Sequence, residues 1–218
     1  MPAGDRELYV YALADPGLPR TLRLLGHTLT TLSLGAIDVV IERQIQPVQP
    51  TAESLREQHA IVTKLASRVG GLLPARFGSL INERRLREVL SQREPEILES
   101  LGRVRGRHQM TIRVFGAVDS TTPVDEAPST GTAFLQRRRI RAHHVPPEVA
   151  TIRDVLASLV AAERVETGER GLRVTVFHLV STDHVESYKI KAAGLQLAPH
   201  HVTVSGPWPA FAFAPELF

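Results

Sequence analysis

The stretch VSGPWPAFAF, residues 204–213, predicts that the chain ends in a segment packed onto the folded body. It holds the only tryptophan, Trp208, between two prolines, and Phe211 and Phe213 follow. A chain end usually frays, so it carries large apolar side chains only where something holds it in place. Aromatic rings bury a large area at a low rotamer cost. We therefore expect this tail to dock on the rest of the protein.

The composition is that of a soluble globular protein with one large or two small domains. The chain has 218 residues, of which 43% are hydrophobic and 22% are charged,. No window approaches the roughly 18 consecutive apolar residues of a membrane span. Asp5 and Glu7 precede the first apolar run, unlike the basic start of a secretory signal,. Cysteine is absent, which excludes disulfides and thiolate zinc sites,. We expect a cytoplasmic protein without membrane contact.

Two strand patterns open the chain. LYVYALA (8–14) and AIDVVIERQI (36–45) are rich in β-branched and aromatic residues, and we expect them to pair across the loop DPGLPR (15–20),. A helix follows Thr51 and ends at two glycines, residues 70–71,. These patterns indicate a mixed α+β arrangement.

A second helix is predicted after Asn82, which serves as its N-cap,. Pro95 lacks the amide donor and is expected to kink or restart that helix,. The run QMTIRVFGAV (109–118) alternates like a half-buried strand and completes the first domain,. The predicted order of the N-terminal domain is therefore β-β-α-β-α-β.

The composition changes at DSTTPVDEAPSTG (119–131), which has the profile of an exposed connector,. Beyond it we expect helices over residues 132–144 and from Glu148, a helix capped by Asp183, and strands at 172–181 and 200–206,. This alternation suits a small α+β sandwich. The predicted organisation is an N-terminal domain (1–118), a linker (119–131), a C-terminal domain (132–205) and a tail (206–218).

The stretch LPARFG contains Leu73, Pro74, Arg76, Phe77 and Gly78. An arginine among apolar residues has to find a carbonyl or carboxylate partner, or keep its head in water. One interpretation is a structural arginine that anchors a loop or the other domain. The other is a docking point for a partner.

No catalytic or metal-binding spacing is present: we find no phosphate loop, HExxH helix or GxSxG elbow. The nine histidines include two adjacent pairs, residues 143–144 and 200–201, but neighbouring side chains diverge in helices and strands,. Ser181, Asp183 and His184 are close only in sequence, which does not make a triad,. We therefore predict no enzyme, no metal and no cofactor or small-molecule substrate.

Two arginine clusters leave nucleic-acid binding open as an alternative function. They comprise Arg103, Arg105, Arg107, Arg137, Arg138, Arg139 and Arg141. The opposing interpretation is a solvated charged surface, because an RNA-binding sheet needs exposed aromatics and QMTIRVFGAV offers only Phe115,.

Three segments, taken in order, resemble the signature segments of the gas vesicle GvpL/GvpF family: YVYALA, LPARFG and SGPWPAFAF. GTAFL (131–135) resembles the segment that opens the family's second domain. The closing motif is the most specific, and its family positions are Gly206, Pro207, Trp208, Pro209 and Phe213. Residues 210–212 are Ala, Phe and Ala here, where the family more often has Pro, Tyr and Ser.

The resemblance implies a non-enzymatic accessory protein for the assembly of gas vesicles, located in the cytoplasm or associated with the vesicle shell. It implies binding to the hydrophobic major shell protein GvpA, and to other accessory proteins, so that the shell protein does not aggregate or the shell is nucleated. The implied fold is α+β with a modified ferredoxin-like first domain and a ferredoxin-like second domain.

We expect the tail to pack near LPARFG, and a strand edge or apolar groove to engage the shell protein. With Trp208 well buried, Trp208→Ala would lose about 3 kcal/mol of stability.

Overall fold

The protein contains two compact units. The computed structural model describes residues 7–43, 48–116, 146–169 and 171–217 of the chain. The first unit contains residues 1–108 together with 208–218, and the second contains residues 109–207. Both combine helices with antiparallel sheet, so the predicted α+β fold class is confirmed.

The first unit is built on a six-stranded sheet. Its strands are β1 (Leu8–Ala14), β2 (Thr21–Leu24), β3 (His27–Leu34), β4 (Ile37–Arg43), β5 (Leu72–Pro74) and β6 (Leu80–Ile81). The spatial order is β2-β3-β4-β1-β5, and β6 also pairs with β1. β1 is buried along its whole length, as expected for a central strand of a sheet covered on both faces,.

β1 and β4 pair antiparallel, from Leu8 opposite Arg43 to Ala14 opposite Asp38, as predicted. The prediction of only a loop between them is wrong, because the β2–β3 hairpin lies there. Its turn places Leu25 and Gly26 at φ of 51° and 88°, the conformation that matches strand twist in a hairpin,. The strand β2 is not predicted from the sequence, because four residues are too few to show a clear apolar–polar alternation,.

Helix α1 (Ala52–Ala66) begins as predicted at Thr51, whose hydroxyl accepts from the Ser54 amide in a capping box,. Helix α2 (Glu83–Val104) begins at Asn82, whose side chain accepts from the Arg85 amide,. Each N-cap satisfies an amide that the helix itself leaves unpaired.

The expected restart of the helix at Pro95 is wrong, because α2 runs through this residue as one helix. Proline inside a helix costs about 3 kcal/mol. Apolar side chains on both sides of it are fully buried, including Leu86, Ile97 and Leu101. Burial of such side chains contributes about 1.5–3 kcal/mol each, which outweighs the lost hydrogen bond.

The second unit has the ferredoxin-like topology, as predicted. Its elements are β7 (Arg107–Phe115), helix α3 (Pro147–Leu156), β8 (Val160–Thr167), β9 (Leu172–Ser181), helix α4 (Val185–Ala193) and β10 (His201–Trp208). The described elements follow the order βαββαβ, and the sheet order is β10-β7-β9-β8. Both helices pack on one sheet face around a core that contains Ile112, Val176 and Tyr188.

Two features of this unit differ from the prediction. The strand β8 was not predicted, because its sequence, VAAERVET, is only partly buried and does not alternate cleanly between apolar and polar residues. Asp183 does not cap α4: a 3-10 turn (Thr182–His184) leads directly into the helix, and no side chain caps it. His184 already has helical φ and ψ, so the extended N-cap geometry that an Asp side chain needs is missing,.

β7 belongs to the second sheet and not, as we predicted, to the first domain. Met110, Ile112 and Val114 on one face of β7 pack into the second core, which explains the difference. The predicted linker (119–131) and the predicted helix over 132–144 lie outside the described residues, as does GTAFL.

Candidate functional site: the 73–78 loop and the C-terminal tail

The LPARFG segment forms the end of β5 and a turn. Leu73 and Pro74 are buried, whereas Arg76 is exposed. The Arg76 carbonyl accepts hydrogen bonds from the Ser79 amide at 3.2 Å and from the Ser79 hydroxyl at 2.8 Å. Gly78 has φ of +79°, a backbone conformation that residues other than glycine rarely adopt,. The turn therefore presents the Arg76 guanidinium to solvent above a buried strand.

A buried pair of polar side chains holds this turn from below. The Tyr9 hydroxyl donates to Gln58 Oε1 and accepts from the Gly78 amide at 3.2 Å. Gln58 Nε2 donates to the Ala75 carbonyl at 3.2 Å. Tyr9 and Gln58 are almost fully buried, and burial raises the pKa of the Tyr9 phenol. Sequence reasoning missed this relay, since its members come from β1, α1 and the turn.

A second polar network adjoins the relay. The Tyr11 hydroxyl donates to Glu42 at 2.9 Å, and His27 lies between Glu42 at 3.0 Å and Glu57 at 2.9 Å. Burial opposes the charged imidazolium, but hydrogen bonds to the two carboxylates prevail and raise the pKa of His27. The arrangement ties β1, β3, β4 and α1 together.

The inner half of the tail, which we define as residues 208–213, lies along α1. Pro209 and Ala210 are buried, and Phe211 packs against the core of the first unit. The His59 ring stacks on Phe211 with a centroid distance of 5.4 Å and meets Trp208 edge-on at 5.1 Å. The predicted docking of the tail on the body is confirmed.

Trp208 is not well buried, contrary to our expectation. Its side chain stays 36% exposed, because it rests on His59 at the surface of α1, whereas Phe211 is the ring that reaches the core. Leu55 lies one turn before His59 on the same helix and is 47% exposed,. We call Leu55, His59 and Trp208 the Trp208 surface.

The outer half of the tail, residues 214–217, fills a groove beside β5. The groove is lined by Leu13, Leu73, Pro74, Ala75, Arg76 and Ser79, and the tail contributes Ala214, Pro215 and Leu217. The tail and the groove leave room between them for no more than about one water molecule,. The Glu216 carboxylate contacts Arg76 Nη2 at 3.1 Å, and Arg93 donates to the Glu216 carbonyl.

The structure brings part of the predicted site together. Leu73, Pro74 and Arg76 meet the outer half of the tail, whereas Phe77 packs edge-on to Tyr9 at 6.3 Å. Phe213 closes the 3-10 turn Phe211–Phe213 and is half-buried. The partner of Arg76, Glu216, was not predicted.

Gly206 and Pro207 belong to β10 in the second unit and not, as predicted, to the tail, whereas Trp208, the last residue of β10, belongs to the first unit. Gly206 has φ of +123°, and a Cβ there would lie 2.8 Å from the Gln109 carbonyl oxygen. Close packing of β10 on β7 therefore requires glycine at this position.

The first arginine cluster makes contacts within the unit. Arg105 forms two hydrogen bonds with the Asp15 carboxylate, at 2.8 and 2.6 Å. Arg103 pairs with Glu99 at 2.8 Å, and Arg107 donates to the Arg103 carbonyl. These arginines serve the fold, which weakens the nucleic-acid alternative. Residues 137–141 lie outside the described part of the chain.

A Tyr–His–Glu chain in the second unit resembles a catalytic relay but lies in the core. His178 Nδ1 contacts the Tyr188 hydroxyl at 2.8 Å, and Nε2 contacts Glu163 at 3.1 Å. Burial lowers the pKa of His178 and raises that of Tyr188. His178 is 1% exposed and Tyr188 is fully buried, so no substrate reaches either side chain.

The other histidines in the described part of the chain do not converge on a metal site. His200 contacts Glu148 at 3.0 Å, whereas His201 faces Phe115 at a centroid distance of 6.3 Å, so this pair diverges as expected. Within the described ranges, no cluster of three or more ligating side chains occurs. His143 and His144 lie outside those ranges. No described helix is long and apolar enough to cross a membrane.

The fold and the docked tail define a two-unit α+β protein whose C-terminus completes its first unit. The chain belongs to the gas vesicle GvpL/GvpF family: the family model described as gas vesicle synthesis protein GvpL/GvpF matches residues 7–215. The resemblance noted in the sequence is thereby confirmed.

Two solved structures share the fold. The gas vesicle protein GvpF from Anabaena sp. PCC7120 has 14% identity and a TM-score of 0.71, with 96% of this chain and 98% of that chain covered. The gas vesicle protein GvpF from Microcystis aeruginosa has 10% identity and the same TM-score, with 96% of this chain and 99% of that chain covered. No curated protein matches the sequence.

Proposed function

We propose that this chain is a non-enzymatic accessory protein of gas vesicle assembly that binds the major shell protein GvpA in the cytoplasm. Membership of a family described as gas vesicle synthesis proteins, over residues 7–215, is the observation that carries the proposal. Binding would keep the shell protein from aggregating before incorporation, or help to nucleate the shell.

The Trp208 surface supports a role in binding an apolar partner. It comprises two partly exposed apolar side chains, Leu55 and Trp208, and the His59 ring, which meets Trp208 edge-on and lies one helical turn after Leu55,. Aromatic rings in contact surfaces provide large rigid areas at a small entropic cost. A shell subunit with an apolar face needs such a cover until it joins the shell.

The small size of this surface suits a transient complex. Phe211 stacks on the His59 ring, which in turn meets Trp208 edge-on, so these rings are preorganised for contact,. A limited apolar contact releases its partner more readily than a large obligate interface does. The shell protein would thus be shielded and then passed to the growing shell.

Co-expression with the major shell protein tests the proposal. We expect the shell protein to remain soluble and to co-purify with this chain in a defined ratio. The matched control is co-expression with an unrelated soluble protein of similar size, which should leave the shell protein in the pellet. If the shell protein pellets with this chain also present at equal expression, direct binding is wrong.

A further inference from the structure

The outer half of the tail occupies a groove at a sheet edge. β5 is the last strand in the order of the first sheet, and among the described residues no strand pairs with its outer edge. The groove beside it has an apolar floor from Leu13, Leu73, Pro74 and Ala75. Such an edge is a template for extended segments, and native proteins usually cover it.

Two arginines beside the groove contact the tail segment that lies in it. Arg76 and Arg93 come from the turn after β5 and from α2, and both contact Glu216, the first through its carboxylate and the second through its carbonyl. Pro215 and Leu217 flank Glu216 and line the groove. The occupant is therefore an extended segment with an acidic residue between a proline and an aliphatic residue.

The polar contacts that hold residues 214–217 in the groove are weak. The side chains of Arg76 and Glu216 are 69% and 70% exposed, and exposed ion pairs contribute little to stability,. The inner half holds the tail through Phe211, so residues 214–217 can leave the groove without unfolding the unit. A segment of like chemistry from another molecule can then take their place.

We propose that this groove is a binding site for an extended segment of another protein, with the pattern proline, acidic residue, aliphatic residue, and that the tail occupies it as a competitor. The site is separate from the Trp208 surface and does not depend on the function proposed above. Arg76 selects the acidic side chain, Arg93 binds the backbone carbonyl of the same residue, and the floor of the groove selects the aliphatic side chain.

An NMR titration tests this proposal on the full chain with a synthetic peptide, FAPEL, which copies residues 213–217. Glu216→Lys should release the outer half of the tail while Arg76 and Arg93 keep their charges. We expect the peptide to bind this variant about tenfold tighter than the parent, because an intramolecular competitor has a high effective concentration. Shifts should concentrate at the amides of Leu73, Ala75 and Ser79.

A charge exchange provides the matched control. The peptide FAPKL should not bind the Glu216→Lys variant, but should bind a full chain carrying Arg76→Glu, in which Glu216 is repelled by the new carboxylate and the outer half of the tail is again released. Equal weak binding of both peptides to every variant, with unchanged circular dichroism, would overturn the proposal. A concentration-dependent dimer of the Glu216→Lys variant without peptide would also overturn it, since a second copy would then be the occupant.

Discussion

The two halves of the tail are held by different forces. The inner half packs Phe211 into the core and stacks it on His59. The outer half lies in a groove whose polar contacts, from Arg76 and Arg93 to Glu216, are open to solvent. Apolar burial contributes about 25 cal/mol per Å², whereas exposed ion pairs contribute at most about 1 kcal/mol.

The difference supports the proposal that one segment serves both fold and binding. The inner half completes the first unit and positions Trp208, whereas the outer half can be exchanged. Replacement of Phe211 in the inner half should therefore cost the most stability, and replacement of Glu216 in the outer half the least.

Phe211→Ala should lower the free energy of unfolding by about 2 kcal/mol, measured by urea denaturation. The value lies below the 3–5 kcal/mol typical of a fully buried ring, because Phe211 is only partly buried,. Phe211→Leu is the matched control and should lose less than about 1.5 kcal/mol. Equal stability of Phe211→Ala and the parent would show that the inner half does not anchor the tail.

Tyr9→Phe should lower the free energy of unfolding by about 1–2 kcal/mol. It leaves Gln58 Oε1 and the Gly78 amide without their buried partner. Hydrogen exchange at the Gly78 amide should accelerate by more than the global loss of stability explains. Unchanged exchange at Gly78 would contradict the role of Tyr9 in holding the turn.

Trp208→Ala should lower the free energy of unfolding by about 1 kcal/mol, rather than the 3 kcal/mol expected from sequence, because part of the ring is already in water,. Thermal unfolding and co-purification of the shell protein should be measured on the same preparation. A large fall in stability would mean that the ring mainly stabilises the fold. A small fall with loss of co-purification would mean that it mainly contacts the shell protein.

Glu216→Gln should change the free energy of unfolding by less than about 1 kcal/mol, since it removes one exposed ion pair. The small difference from the parent should disappear at high salt, because salt screens exposed charges. Chemical denaturation at about 0.05 M and 1 M salt measures both effects. A loss that persists at high salt would mean that the outer half is held by more than charge.

The sequence predicts the elements with strong local signals. The caps Thr51 and Asn82 and the strand pattern of β9 are local features, and the structure confirms them. The density of aromatic residues after Trp208 predicts a docked tail, since rings at a chain end need a partner surface. The closing motif and LPARFG also indicate the family.

The sequence does not predict contacts that depend on distant residues. Gln58 and Glu216 look like ordinary surface residues in the sequence, yet Gln58 lies under the turn and Glu216 lies beside Arg76. The continuation of α2 through Pro95 could not be predicted, because the free-energy cost of a proline is local, whereas the apolar burial that compensates it comes from the whole helix. Burial of Trp208 could not be predicted for the same reason.

The central claim is that the chain binds the shell protein through the Trp208 surface. Leu55→Lys and Leu98→Lys provide a matched test, since the two leucines lie on different helices and are 47% and 37% exposed. Each variant is co-expressed with the major shell protein, and the amount that co-purifies is measured. The account predicts that Leu55→Lys loses the shell protein and Leu98→Lys retains it, with both folded. Equal recovery with the two variants would contradict it.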